Sequence, residues 1–154
     1  GYPRIVTRKR YARGVPLISH MTRLYEYPVV DSNAPVKRHI KMLREVARSS
    51  GAPVLVYPEG TRSRDGELLP FQKGALNILL RNRTWTVYLA VADGVLPCEQ
   101  LSTMLNGVDG VDCRVRVFGP FQTPAHADGI QTWAEEMESR MRDELQALRA
   151  GANP

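Results

Sequence analysis

The chain has few cysteines and no long apolar run. Cys98 and Cys113 are its only cysteines, form no C-x-x-C pair and stand near no histidine at zinc-site spacing. We therefore expect no metal, and two thiols in 154 residues fit a reducing compartment. The longest apolar runs are far too short to span a bilayer.

Several catalytic sequence patterns are also absent. There is no G-x-S-x-G, no Walker A sequence and no H-E-x-x-H, which argues against the hydrolases, nucleotide-binding proteins and metalloproteases that carry them. Hydrophobic residues make up 43% of the chain and charged residues 24%, as is ordinary for a globular protein. Length predicts one domain, over residues 1–150, with a tail at 151–154.

Positive charge is concentrated in the first third of the chain. Residues 1–50 carry 11 basic and 3 acidic side chains, a net charge of +8, whereas the remainder is at −3. This asymmetry indicates an anionic partner, such as an anionic membrane surface, although a solvated basic edge would look the same. We expect no nucleic acid partner, because aromatic platforms and known nucleic-acid-binding modules are missing.

Apolar patterns predict strands that alternate with helices. Strands are expected at residues 27–31, 53–57 and 86–91, and the run at 53–57 is apolar without alternation, as in a buried parallel strand. The last helix has an apolar stripe that we assign to the core: Trp133, Met137, Met141, Leu145 and Leu148. The predicted fold is α/β, a layered fold with a largely parallel central sheet flanked by helices.

The most informative segment follows the strand at 53–57. A Pro-Glu-Gly-Thr-Arg-Ser turn comes first, and a second turn with one lysine then opens an apolar helix. Strands of parallel sheets present ligands with cations and backbone N–H groups at their carboxyl ends. The candidate binding residues are Glu59, Gly60, Thr61, Arg62, Ser63 and Lys73.

Each candidate residue suits an anionic ligand differently. Arg62 can clamp a phosphate bidentately, Lys73 adds a mobile positive charge, and Gly60 permits close approach of the backbone. The hydroxyls of Thr61 and Ser63 can donate hydrogen bonds.

Glu59 is a poor phosphate ligand, because a carboxylate repels phosphate. It could orient Arg62, accept backbone N–H bonds within the loop, or bind a substrate hydroxyl. For the whole segment, the alternative is a solvent-exposed turn with coincidental charge.

Two parts of this segment resemble the third motif of the glycerolipid acyltransferase family, the lysophosphatidic acid acyltransferases. The family's F-P-E-G-T-R-S is read at residues 57–63, and its F-x-K-G-A at residues 71–75. The resemblance implies acyl transfer to the free hydroxyl of a lysophospholipid such as 1-acylglycerol-3-phosphate, in phospholipid biosynthesis. The donor would be acyl-CoA or acyl-carrier protein, with no cofactor. The turn would bind the acceptor phosphate. The resemblance places the protein at the cytoplasmic face of a membrane, either peripheral or anchored through a segment expected upstream of residue 1.

The chain departs from the family at the catalytic base, a histidine in an N-H-x-x-x-x-D motif. His20, His39 and His126 are followed five positions later by Tyr25, Arg44 and Gln131. We therefore interpret all three histidines as surface or structural residues, and expect no catalytic residue in this chain. The family's His-Asp motif is expected upstream of residue 1, and the chain as printed is expected to be inactive.

Two rival functions stay open. One is a non-catalytic module that binds a lysophospholipid or an anionic membrane. The other is an α/β enzyme acting on a small phosphorylated metabolite. A lipid-length apolar groove beside Arg62 would argue against the latter.

Overall fold

The computed structural model describes residues 2–15, 18–31, 33–49, 51–61, 63–94 and 112–151. In chain order the elements are β1 (Arg4–Ile5), β2 (Thr7–Arg8), α1 (Lys9–Ala12), α2 (Ile18–Leu24), β3 (Val29–Val30), α3 (Val36–Ser49), β4 (Val54–Leu55), α4 (Lys73–Leu80), β5 (Thr86–Asp93), β6 (Arg114–Gln122) and α5 (Ile130–Arg149). Among these residues, no helix has the length and apolar character needed to cross a bilayer.

The N-terminal strands pair in parallel. β1 pairs with β4, and β2 pairs with β3. The Val6 amide donates to the Leu55 carbonyl at 3.1 Å, and the next amide, of Thr7, donates to the Pro28 carbonyl at 2.9 Å. Because successive amides of a strand point to opposite sides, the segment 4–8 lies between β3 and β4. The predicted α/β class with parallel strand pairing is confirmed at this level.

Among the described residues, the predicted layered fold around one largely parallel central sheet is not clearly formed. The described strands pair only two by two, as β1 with β4, β2 with β3 and β5 with β6, and the last pair is antiparallel. The apolar run at 53–57 supplies only two ladder residues, because the Tyr57 carbonyl already accepts the Gly60 amide in a turn. Leu55 and Tyr57 are exposed, so this run is not covered on both faces.

The core lies between α5, α4 and the β5–β6 sheet. The buried side chains of α5 include Met137, Met141, Leu145 and Leu148, which confirms most of the predicted stripe. Trp133 is partly buried and packs against this cluster. Leu89 and Val91 of β5 complete the core from the sheet, because alternate side chains of the strand face α5.

The side chains of strand β6 alternate between the surface and helix α5. Its valines, Val115 and Val117, are exposed, whereas its arginines face the helix. The Arg116 guanidinium donates to the Glu144 carboxylate at 2.9 Å, and that of Arg114 donates to the Leu148 carbonyl at 3.0 Å. These two contacts hold the sheet against the C-terminal half of α5.

Candidate functional site

The two halves of the motif adjoin in space. The first turn closes when the Gly60 amide donates to the Tyr57 carbonyl at 3.0 Å. The second half is joined to it by the Gln72 amide, which donates to the Pro58 carbonyl at 2.8 Å. The turn after β4 and the start of α4 are therefore placed together.

Gly60 is required by the backbone of the first turn. Its φ of +69° lies in the left-handed region, and an added Cβ would stand 3.1 Å from the Gln72 Cγ. Its carbonyl accepts a hydrogen bond from the Arg8 guanidinium at 3.0 Å. A cation from β2 thus reaches the motif turn.

Glu59 fulfils one of the three roles predicted for it. Its half-buried carboxylate accepts the Leu69 backbone N–H at 2.7 Å. This bond connects the start of the loop to a residue ten positions later. The carboxylate therefore holds the loop in shape.

The loop between the two turns is fixed at a second place. The Ser63 hydroxyl donates to the Asp65 carboxylate at 2.7 Å, and this bond lowers the pKa of Asp65. Arg149, in the last turn of α5, donates to the Gly66 carbonyl at 2.8 Å and forms ion pairs with Glu67 and Asp93. One guanidinium thus links the loop, the end of β5 and the end of α5.

Lys73 is engaged away from the turn. Its ammonium donates to the Glu135 carboxylate of α5 at 2.8 Å, which raises the pKa of Lys73 and lowers the pKa of Glu135. Arg62, the principal predicted ligand, lies outside the described residues.

An open groove of about 740 Å³ runs beside the motif. Most of its wall is apolar and comes from β1, β3, helices α3 and α4 and the residue after β4; examples are Ile5, Val30, Leu43, Val56, Leu76 and Leu79. Its polar wall includes Arg8, Gly60, Thr61 and Arg64. The groove therefore combines an apolar interior with cations and a hydroxyl from the motif region.

Sequence reasoning identified only part of this polar wall. Gly60 and Thr61 were predicted and line the groove, whereas Ser63 and Lys73 do not. Arg8 and Arg64 were missed as site residues. Arg8 was visible only as one of several N-terminal cations, although Arg64 stands directly after the motif and could have been included.

The structure places the three histidines in different surroundings. His20 and His126 are exposed. His39 is half-buried, and its Nε2 lies 2.6 Å from the Asp31 carbonyl oxygen, so its described partner is a backbone group. His39 also lines the groove.

Comparison with known proteins gives one family. The Acyltransferase family model matches residues 1–91. A 1-acyl-sn-glycerol-3-phosphate acyltransferase of Cocos nucifera is 30% identical over 138 residues, which are 86% of this chain and 41% of that protein. The 1-acyl-sn-glycerol-3-phosphate acyltransferase alpha of Homo sapiens is 29% identical over 104 residues, 60% of this chain and 35% of that protein.

The chain therefore spans less than half the length of these curated relatives. No solved structure matches it significantly. The family match covers more than half of the 154 residues and includes the motif turn and α4. The chain belongs to the Acyltransferase family.

Proposed function

We propose that this chain holds the acceptor in an acyltransferase that acylates a lysophospholipid such as 1-acylglycerol-3-phosphate. The observation that carries the proposal is the groove, which joins an apolar interior to the cations Arg8 and Arg64. An acceptor of this class has the same two parts, an acyl chain and a phosphate. A small phosphorylated metabolite has no use for the apolar wall.

The acceptor phosphate is assigned to the polar wall of the groove. Arg8 is already oriented by its bond to the Gly60 carbonyl, and the exposed Thr61 supplies a hydroxyl. Arg62, which follows Thr61 in the sequence, is proposed as the bidentate ligand, and each charge-assisted contact is worth about 1.5–3 kcal/mol. Ser63 and Lys73 would each have to leave a present partner before they could contribute.

The proposed reaction is direct transfer. A general base removes the proton of the acceptor hydroxyl, whose oxygen attacks the thioester carbonyl carbon of acyl-CoA or acyl-carrier protein. The C–S bond then breaks, and the thiol leaves with a proton. Glu59 is not proposed as this base, because its carboxylate is occupied by the Leu69 amide.

Catalysis by this chain alone is not proposed. No N-H-x-x-x-x-D occurs in its sequence, and the described partner of His39 is a carbonyl. We expect no phosphatidic acid when residues 1–154 are given acyl-CoA and lysophosphatidic acid. Turnover that disappears in His39→Ala, His20→Ala or His126→Ala would contradict this assignment.

The binding test compares three ligands by calorimetry. Lysophosphatidic acid below its aggregation concentration should bind more tightly than the matching monoacylglycerol and more tightly than glycerol 3-phosphate. Arg62→Ala should weaken lysophosphatidic acid binding about tenfold or more and leave monoacylglycerol binding unchanged, with partial rescue in Arg62→Lys. Arg44→Ala is the matched control, because Arg44 is an exposed arginine of α3 outside the groove wall.

Two results would refute the proposed site. Equal affinity for glycerol 3-phosphate and lysophosphatidic acid would favour a site for a small phosphorylated metabolite. Equal losses in Arg62→Ala and Arg44→Ala would show that the motif turn does not hold the phosphate.

A further inference from the structure

Helix α2 exposes an apolar stripe. Ile18, Met21 and Leu24 stand at every third position and are 45%, 38% and 66% exposed. Residues with this spacing share one side of a helix. The helix packs inward through the buried Thr22, so the stripe is left uncovered by the described residues.

Three tyrosines cluster near the end of α2. The rings of Tyr2 and Tyr25 have centroids 5.3 Å apart, and those of Tyr25 and Tyr27 are 5.9 Å apart. Tyr2 is 75% exposed. Tyrosines combine an apolar ring with a polar hydroxyl and favour membrane–water interfaces.

Cations adjoin the same surface. Arg23 is exposed in the last turn of α2, and Arg4 is held near its end by a 2.8 Å ion pair with Glu26. Residues 1–50 as a whole carry a net charge of +8. Apolar side chains beside cations and tyrosines are typical of a helix that lies in the interface of an anionic leaflet.

We infer that α2 and the tyrosines Tyr2, Tyr25 and Tyr27, together called the α2 face, insert into the interfacial region of an anionic lipid leaflet. The inference rests on the proposed function, since it supplies the route of a lipid acceptor. Ile18 belongs both to the exposed stripe and to the groove wall. Insertion of the α2 face therefore places the groove against the leaflet that contains the acceptor.

A second apolar surface, on the β5–β6 sheet, does not compete for this role. Tyr88, Val115 and Val117 are exposed there. That sheet belongs to the part of the chain after residue 50, which carries a net charge of −3 and so lacks the excess of cations that attracts an anionic leaflet. The same surface provides a matched control.

The test uses residues 1–154 and vesicles of phosphatidylcholine with or without phosphatidylglycerol. Met21→Ser with Leu24→Ser should weaken binding to the anionic vesicles about tenfold or more. Val115→Ser with Val117→Ser should leave binding unchanged. High salt should weaken wild-type binding only in part, because the apolar contribution is not screened.

A measurement of insertion depth distinguishes insertion of the α2 face from electrostatic attraction to the vesicle surface alone. The tryptophan introduced by Leu24→Trp should be quenched by lipids brominated on their acyl chains, after subtraction of the wild-type signal. Absence of quenching, or equal losses in the two serine double variants, would overturn the inference. Thermal melting followed by circular dichroism checks that each variant is folded.

The acceptor assay distinguishes the two proposals. In the absence of vesicles, the Met21→Ser and Leu24→Ser pair should bind soluble lysophosphatidic acid as wild type does. If this variant lost binding of soluble lysophosphatidic acid but kept vesicle binding, the α2 face would belong to the acceptor groove and the inference would be overturned. Quenching of the introduced tryptophan in a Leu24→Trp chain that binds no lysophosphatidic acid would refute the proposed function alone.

Discussion

Replacement of Gly60 by alanine should lower the free energy of unfolding by about 1–2 kcal/mol. The residue has φ of +69°, and the left-handed region costs a residue with a Cβ roughly this amount. The added methyl would also meet the Gln72 Cγ at 3.1 Å. Since Gln72 is exposed and flexible, we expect its side chain to move aside and this contact to add little.

Two other glycines allow the backbone cost and the contact with Gln72 to be measured separately. Gly14 has φ of +78° but open space where an added Cβ would lie, so Gly14→Ala measures the backbone cost alone. Gly51 has neither a positive φ nor a neighbour within 4 Å, and Gly51→Ala should be neutral or slightly stabilising. The difference between Gly60→Ala and Gly14→Ala then measures the contact with Gln72.

Urea unfolding at 25 °C, followed by circular dichroism, is the assay. The variants should shift the transition midpoint at constant m-value, because the surface exposed on unfolding is unchanged. The reasoning would be refuted if Gly60→Ala unfolded at the same urea concentration as Gly51→Ala, since the turn would then not need a left-handed residue.

Two further predictions concern stability. Met137→Ala should destabilise the chain by about 2–5 kcal/mol in the same assay, because Met137 is 2% exposed in the core; a loss below about 1 kcal/mol would contradict that packing. Lys73→Met should remove a small stabilisation that is present above the ordinary Glu135 pKa of 4.5, because the folded-state pKa of Glu135 is lowered. The gap between wild type and Lys73→Met should therefore shrink as pH falls below 4.5 through that lowered pKa, and a gap that widens would contradict the ion pair.

The sequence predicted those parts of the molecule that depend on local patterns. The stripe of α5 follows from helical spacing, and the role of Glu59 as an acceptor of backbone N–H bonds follows from its position in a loop. The contacts that sequence reasoning missed join residues far apart in the chain. Arg8 meets Gly60 across 52 positions, and Lys73 meets Glu135 across 62.

The predicted central sheet is not clearly formed among the described residues, for a related reason. An apolar run without alternation predicts a strand covered on both faces, but strand length also depends on where the next turn begins. Here the turn starts at Tyr57, so β4 ends at Leu55. In β6 the arginines point inward, where they contact Glu144 and the Leu148 carbonyl. The alternation of residues along a single strand does not show which of its two faces is the inward one.

Through Arg149, the loop that contains Gly66 and Glu67 is held in place by the last turn of α5. Terminal turns of helices are the first to fray, and native-state opening spreads through residues that share their contacts. Because Arg149 holds Gly66 and Glu67, each opening of the last turn of α5 releases one support of the loop after the motif. Amide hydrogen exchange in that loop should therefore follow exchange at the C-terminus of α5, although the two segments are 83 positions apart.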